Sequence, residues 1–183
     1  MKNKFFITLF FLFNIFLLNN VYSQDFNFET NEIEIKDEGN IIEGRGGVIV
    51  TSNDNIIINS EESFYDKKKQ ELILTGNVVY KNTLKKISIQ AEKITYDKYN
   101  EVITTYGNTI YEDRLEEFFL ETKSIEYKKK DELIKTFDKA KINVKNKYTV
   151  EADKIVFNQK KSQISSELEA DITDKKGNVF NFD

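Results

Sequence analysis

The sequence contains no cysteine, no histidine and no proline. Without cysteine there is neither a disulfide framework nor a thiolate that could serve as a nucleophile or a metal ligand. Without histidine the chain also lacks the commonest general base and the commonest zinc ligand. These absences exclude most ordinary catalytic constellations, and they predict no cofactor and no metal site. The absence of proline leaves every strand-forming segment free to pair, including edge strands that proline would blunt.

The N-terminal 23 residues are predicted to be a secretory signal peptide. Two lysines precede an almost wholly apolar run from Phe5 to Leu18, and cleavage after Ser23 fits best. An uncleaved anchor is the alternative, but a spanning helix needs roughly 20 apolar residues and this run is shorter. We therefore expect residues 1–23 to be a signal peptide and residues 24–183 to be one exported domain.

The mature chain has the size of one domain and carries a negative charge. Removal of residues 1–23 from the 183 leaves 160, about the length of a domain with a sizeable core. The leader holds two of the 27 basic residues and none of the 31 acidic ones, so the net charge of the remainder is −6. This sign disfavours nucleic acid as a partner.

An internal repeat of about 30 residues runs through the mature chain. Its clearest part is a segment that ends in an aromatic residue, and successive aromatic positions are 31, 31 and 30 residues apart. The copies are Ile58–Tyr65, Ile89–Tyr96, Leu120–Tyr127 and Val150–Phe157, with a weaker copy at Phe28–Ile35. Five units therefore account for the mature chain.

Each unit reads as strand, turn, strand. Its two halves are short, rich in Ile, Val, Thr, Tyr and Phe, and alternate apolar with polar residues, which is the pattern of half-buried strands. The linkers at 66–70, 97–100, 128–131 and 158–161 are polar and charged, which predicts exposed hairpin turns. The sequence thus predicts an all-β, antiparallel protein.

The first strand of each unit is expected to change face partway along. Ile89 and Ala91 share one parity, whereas Ile94 and Tyr96 share the opposite one. One extra residue re-aims every side chain beyond it, so we predict a bulge or a sharp bend after the small residue. The same step in other units predicts a crease across the stack. In the partner strand, Gly76 predicts a second bend or a close backbone approach.

The repeat resembles the OstA-like (organic solvent tolerance) domain of lipopolysaccharide-transport proteins. The likeness rests on an Ala-x-x-Ile-x-Tyr-Asp segment followed by a Gly-Asn pair; Ile87 to Tyr111 is the best example, and about residues 26–183 are covered. The last two units lack Gly-Asn, and the second unit has Ser63 where others have Ile. The resemblance implies a folded antiparallel sheet, the β-jellyroll or β-taco, whose crease encloses a trough for the acyl chains of lipid A.

The resemblance also implies site residues and partners in the periplasm. The trough positions would be Ile58, Ile89, Ile94, Leu120, Ile125, Val150 and Ile155. Members of the family join homologous β-jellyroll proteins through edge strands, a β-augmentation. The docking positions would be Phe26, Phe28, Val179, Phe180 and Phe182.

Two members of the family fit this sequence. The alternating apolar residues at the end of the chain predict that it stops inside a strand. This favours the N-terminal piece of the outer-membrane lipopolysaccharide-assembly protein, whose C-terminal β-barrel would be missing from this sequence. A standalone periplasmic bridge protein is the second choice.

Other interpretations stay open at this stage. On the strand pattern alone, the apolar positions fit the packed core of a sandwich as well as a trough. A structural envelope or adhesin repeat protein is therefore the alternative to non-enzymatic lipopolysaccharide transport, and an exported polysaccharide-degrading enzyme with two facing carboxylates is least favoured. Asp171, Asp174 and Asn178 offer oxygen ligands, but they lack the ligand spacing of a calcium loop, so residues 174–178 are interpreted as a solvated turn.

Overall fold

The structure, a computed structural model, describes residues 26–166 and 168–182, and its regular structure is almost entirely β-strand. The predicted signal peptide lies outside the described residues. The strands are β1 Asn27–Lys36, β2 Ile41–Ser52, β3 Ile56–Asp66, β4 Glu71–Asn82, β5 Ile87–Asp97, β6 Val102–Tyr106, β7 Thr109–Asp113, β8 Phe118–Thr122, β9 Ile125–Lys128, β10 Leu133–Thr136, β11 Lys139–Val144, β12 Tyr148–Asp153, β13 Val156–Asn158, β14 Gln163–Ser165, β15 Ala170–Asp174 and β16 Val179–Phe182. A 3₁₀ turn covers Asp37–Gly39. Within the described residues, no helix has the length and apolar character to span a bilayer.

The strands form one antiparallel sheet that is folded into two layers. The first five strands are long, with 10 to 12 residues each. Beyond them the sheet divides, because β6 pairs with the second half of β5 while β7 pairs with its first half. We call β6, β9, β10, β13 and β14 the first layer, and β7, β8, β11, β12, β15 and β16 the second layer, each continued by the adjoining halves of the long strands. This confirms the predicted all-β, folded antiparallel architecture.

The predicted crease is present, but the extra residue lies in a different strand from the one predicted. Ala91 and Ile94 are both buried, so the first strand does change face. However, the bulge is in β4, where Gly76 and Asn77 lie opposite the single residue Glu92. Their φ angles of 79° and 47° belong to the left-handed region, which glycine and asparagine adopt more readily than other residues. The Gly-Asn pair of the second strand, and not the small residue of the first, therefore supplies the bulge.

Threonine side chains complete the hydrogen bonding of the crease where the strands are divided. The backbone amide of Ile125 donates to Thr105 Oγ1 at 3.0 Å, and that of Ile155 donates to Thr136 Oγ1 at 2.8 Å. Thr105 Oγ1 also lies 2.6 Å from Thr109 Oγ1 across the break between β6 and β7. Buried amides that leave the ladder thus find a partner.

The inward-facing side chains form one continuous row in each layer. The first-layer row consists of Ile35, Ile42, Tyr65, Leu72, Tyr96, Ile103, Tyr127, Ile134, Phe157 and Ile164. The second-layer row consists of Phe28, Val50, Ile58, Tyr80, Ile89, Tyr111, Leu120, Ile142, Val150, Ile172 and Phe180. Because each row follows the strand register, the repeat places equivalent side chains side by side. The core lies between the two rows.

The charged linkers are turns, as predicted. Asp66, Asp97 and Asn158 each accept a hydrogen bond from the backbone amide three residues later, which fixes the turn. The segment near the C-terminus is also a turn, since the Asp174 carboxylate accepts bonds from the amides of Lys176 at 2.8 Å and Asn178 at 2.9 Å.

Candidate functional site

All seven predicted trough positions lie in the interior between the layers. They are 0–8% exposed: Ile58, Ile89, Ile94, Leu120, Ile125, Val150 and Ile155. The strand register brings the second-layer members into one row, and the others lie just beyond the crease. Contact of these side chains with lipid stays a prediction.

Aromatic rings cross the interior and connect the layers. The rings of Phe118 in β8 and Phe157 in β13 stack with centroids 4.1 Å apart and planes inclined by 12°. The ring centroid of Tyr111 lies 6.1 Å from that of Phe118 and 5.6 Å from that of Tyr127, and both contacts are edge-on. We call these four rings the aromatic wall. Strand spacing did not point to the wall, because it depends on how closely the two layers approach.

An apolar cavity of about 380 Å³ opens on the C-terminal side of the wall. Its lining includes Val144, Val150, Ala152, Ile155, Ile164 and Ile172. Two of the predicted trough positions, Val150 and Ile155, therefore line a cavity, whereas the other five lie among packed side chains. The interior is filled over most of its length and open at its C-terminal end.

Polar contacts connect the two layers on the side of the fold that lies away from the crease. Lys85 Nζ lies 3.0 Å from Glu132 Oε1. Gln159 Nε2 donates to Tyr111 Oη at 3.0 Å and to Asp113 Oδ2 at 2.9 Å. We call these contacts the seam. Sequence reasoning missed the seam because its partners are 46 to 48 residues apart, which is no multiple of the repeat.

Burial shifts the pKa of several titratable groups beside the interior. Burial is the main cause that raises the pKa of Tyr80, Tyr111 and Tyr127, so these hydroxyls stay protonated. Burial lowers the pKa of Lys129, whose ammonium lies 2.8 Å from Tyr96 Oη and 4.9 Å from the centre of that ring. Among residues 26–166 and 168–182, no cluster of three acidic side chains is arranged to hold a metal ion.

Within residues 26–166 and 168–182, the strands at both ends of the sheet have no partner on their outer side. β16 borders the second layer and β14 the first layer at the C-terminal end. Val179 and Phe180 of β16 are exposed, and Phe182 pairs in register with Ala170. The prediction did not include β14.

At the N-terminal end, β1 is the border strand. Phe26 lies one residue before β1 and is buried, with its ring 5.2 Å from Tyr65. Its side chain therefore packs into the interior, and a part of Phe26 in docking stays a prediction. Phe28 is partly buried on β1, whereas Ile33 and Ile35 are the exposed apolar side chains of this border. Alternation within β1 already marks these isoleucines in the sequence.

Comparisons with known proteins place the chain in a family. Residues 57–163 match the family model described as LptA/(LptD N-terminal domain) LPS transport protein. No curated protein matches. Among solved structures, LptH of Pseudomonas aeruginosa, the LptA homologous periplasmic component of the conserved lipopolysaccharide transport device, is 16% identical with a TM-score of 0.32, covering 87% of this chain and 94% of LptH. The TCP10 domain of Danio rerio CPAP, solved with a STIL peptide, is 8% identical with a TM-score of 0.17, covering 85% of this chain and 97% of that domain. Since the family model spans more than half of the chain, this protein belongs to the family of LptA and the LptD N-terminal domain, the lipopolysaccharide transport proteins.

Proposed function

We propose that the protein carries lipopolysaccharide by holding its acyl chains in the apolar interior, and that it performs no turnover of its own. The observation that carries this proposal is the apolar cavity beside Val150 and Ile155, which opens between the layers at the C-terminal end. Each buried methylene of an acyl chain contributes about 0.8 kcal/mol, so a cavity of this kind retains lipid without specific polar contacts. Membership in a transport family favours this function over a structural repeat protein.

The packed part of the interior would take up acyl chains when the layers separate. The wall and the seam hold the layers together around Ile89 and Leu120. In this proposal the cavity holds acyl chains while the two layers stay packed against each other, and the predicted trough positions on the N-terminal side of the wall become accessible only when the layers separate.

Open borders would connect this domain to homologous transport domains. A strand with unpaired backbone groups accepts a further strand, and main-chain hydrogen bonds then supply affinity. β1 carries the exposed Ile33 and Ile35, and β16 carries the exposed Val179 and Phe180. Alignment of such borders would join the interiors of neighbouring domains. Export to the periplasm by the predicted signal peptide, and continuation of the chain into an outer-membrane domain, belong to the same proposal.

Site-specific photocrosslinking tests the lipid proposal. A photoreactive amino acid at Val150 or Ile155 is expected to capture lipopolysaccharide. The matched control is Phe119, an exposed residue of β8 next to the inward-facing Phe118, and it should capture none. Failure of capture at both cavity positions in folded protein would remove the proposed lipid role.

Border pairing is tested separately. Ile35→Lys and Phe180→Lys are expected to weaken association with a second β-jellyroll domain, measured by analytical ultracentrifugation. Leu84→Lys changes an exposed residue in a hairpin turn and serves as the control. Equal association of all three variants would contradict docking through these borders.

A further inference from the structure

We propose that the aromatic wall sets the longest acyl chain that the C-terminal cavity accepts while the two layers are packed together, with Phe118 and Phe157 as the specificity-determining residues. This inference rests on the proposed function, because it takes a saturated acyl chain of a lipid as the occupant of the cavity. It adds a limit on the chemistry of that lipid.

The stacked pair spans the interior from layer to layer. Phe118 belongs to β8 of the second layer and Phe157 to β13 of the first, and they are 2% and 6% exposed. A centroid distance of 4.1 Å leaves no room for a methylene chain between the two ring faces. An acyl chain that advances through the interior must therefore stop at this pair or separate it.

The pair lies directly behind the cavity. Val144 is the register partner of Phe118 in the neighbouring strand, and Ile164 is the register partner of Phe157. Both Val144 and Ile164 line the cavity. One lining residue from each layer thus adjoins one ring of the stacked pair, which places the pair at the inner end of the cavity.

A second pair of rings supports the first. Tyr111 packs edge-on against Phe118 at 6.1 Å and against Tyr127 at 5.6 Å. The Tyr111 hydroxyl is held by Gln159, which also binds Asp113. Because Phe118 packs against Phe157 and Tyr111, a rotation of its ring would disturb both contacts. We therefore expect the wall to resist the end of an acyl chain.

The wall should produce a characteristic dependence of affinity on chain length. Every methylene that enters the cavity raises affinity about fourfold, as burial of one methylene predicts. Once the end of the chain reaches the wall, additional methylenes remain in water and add little. Affinity therefore rises with length and then levels off.

The experiment measures binding of saturated fatty acids of graded length to the folded mature protein, by displacement of a fluorescent fatty acid. In the wild type we expect affinity to level off at one length. Phe118→Ala and Phe157→Ala remove one ring each, so affinity should continue to rise, about fourfold per methylene, to a longer length. Phe119→Ala removes the neighbouring exposed ring of β8 and should leave the wild-type profile unchanged.

The possible results separate the inference from the proposed function. If an alanine variant fails to fold, Phe118→Leu keeps an apolar side chain of smaller size and should show a smaller shift in the same direction. Binding with the same limiting length in the wild type and in every folded wall variant would overturn the wall inference and leave lipid binding intact. Absence of fatty-acid binding to the wild type, together with absence of lipopolysaccharide capture, would overturn both.

Discussion

Lys85 and Glu132 form an ion pair between the two layers of the sheet, with 3.0 Å between Nζ and Oε1. Lys85 lies in the turn between β4 and β5, and Glu132 lies in the turn between β9 and β10. Together with the hydrogen bonds from Gln159 to Tyr111 and Asp113, this ion pair forms the seam.

Charge reversal at the seam is expected to open it locally. Because the two side chains are 43% and 35% exposed, Lys85→Glu should change the free energy of unfolding by less than about 1 kcal/mol. Repulsion from Glu132 should nevertheless speed amide hydrogen exchange in both turns. The doubly exchanged variant Lys85→Glu with Glu132→Lys restores the attraction and should restore slow exchange. Equal exchange in the single and double variants would show that the pair does not hold the seam.

Substitution of Gly76, the glycine of the bulge, is expected to destabilise the fold. Gly76 has a φ of 79°, and a Cβ added there would lie 2.6 Å from Cβ of Glu61. Gly76→Ala therefore combines left-handed strain with a steric clash, and it should lower the free energy of unfolding by about 2–3 kcal/mol in urea titrations. Gly39→Ala is the control, because Gly39 has a φ of 91° with open space around it. A loss of only about 1 kcal/mol is expected there, and equal losses at both sites would contradict a close approach at the bulge.

The hydroxyl group of Thr105 at the crease is expected to be needed for the stability of the fold. Thr105→Val keeps the shape of the side chain but removes the acceptor of the Ile125 amide. A buried amide without a partner costs about 1–3 kcal/mol, which thermal or urea unfolding would detect. Thr104→Val, on the neighbouring and less buried position of β6, should change stability by less than about 0.5 kcal/mol. Similar effects of the two substitutions would assign no special role to the Thr105 hydroxyl.

The folded sheet could be predicted because its cause is local to each strand. Apolar residues alternate along one strand, so the change of parity between Ala91 and Ile94 already identifies the crease. The position of the extra residue could not be read from that parity, because it depends on the register of β4 against β5, in which Gly76 and Asn77 lie opposite Glu92. The left-handed angles of Gly76 and Asn77 decide it.

The candidate site was predictable to a lesser degree, for a physical reason. Period-2 alternation indicates which side chains face inward, and Ile89, Val150 and Ile155 do so. It contains no information on the separation of the layers, which depends on contacts between distant units such as Phe118 with Phe157. An open trough and a packed core therefore have the same sequence pattern, and this protein combines a packed part with an open end.

Alkaline pH is expected to unfold the protein through its buried tyrosines. Burial raises the pKa of Tyr96, Tyr111 and Tyr127 above the ordinary 10.0, so the folded state keeps protons that the unfolded chain releases. Their contribution is complete below pH 10 and declines as pH rises further, by about 1.4 kcal/mol per pH unit for each tyrosine. The lowered pKa of Lys129 acts in the opposite direction, but it is one group against several. Urea titrations at increasing pH should show a steep loss of stability that coincides with tyrosinate absorbance. Tyr111→Phe should reduce the slope by about one tyrosine's share, and a slope equal to that of the wild type would contradict this mechanism.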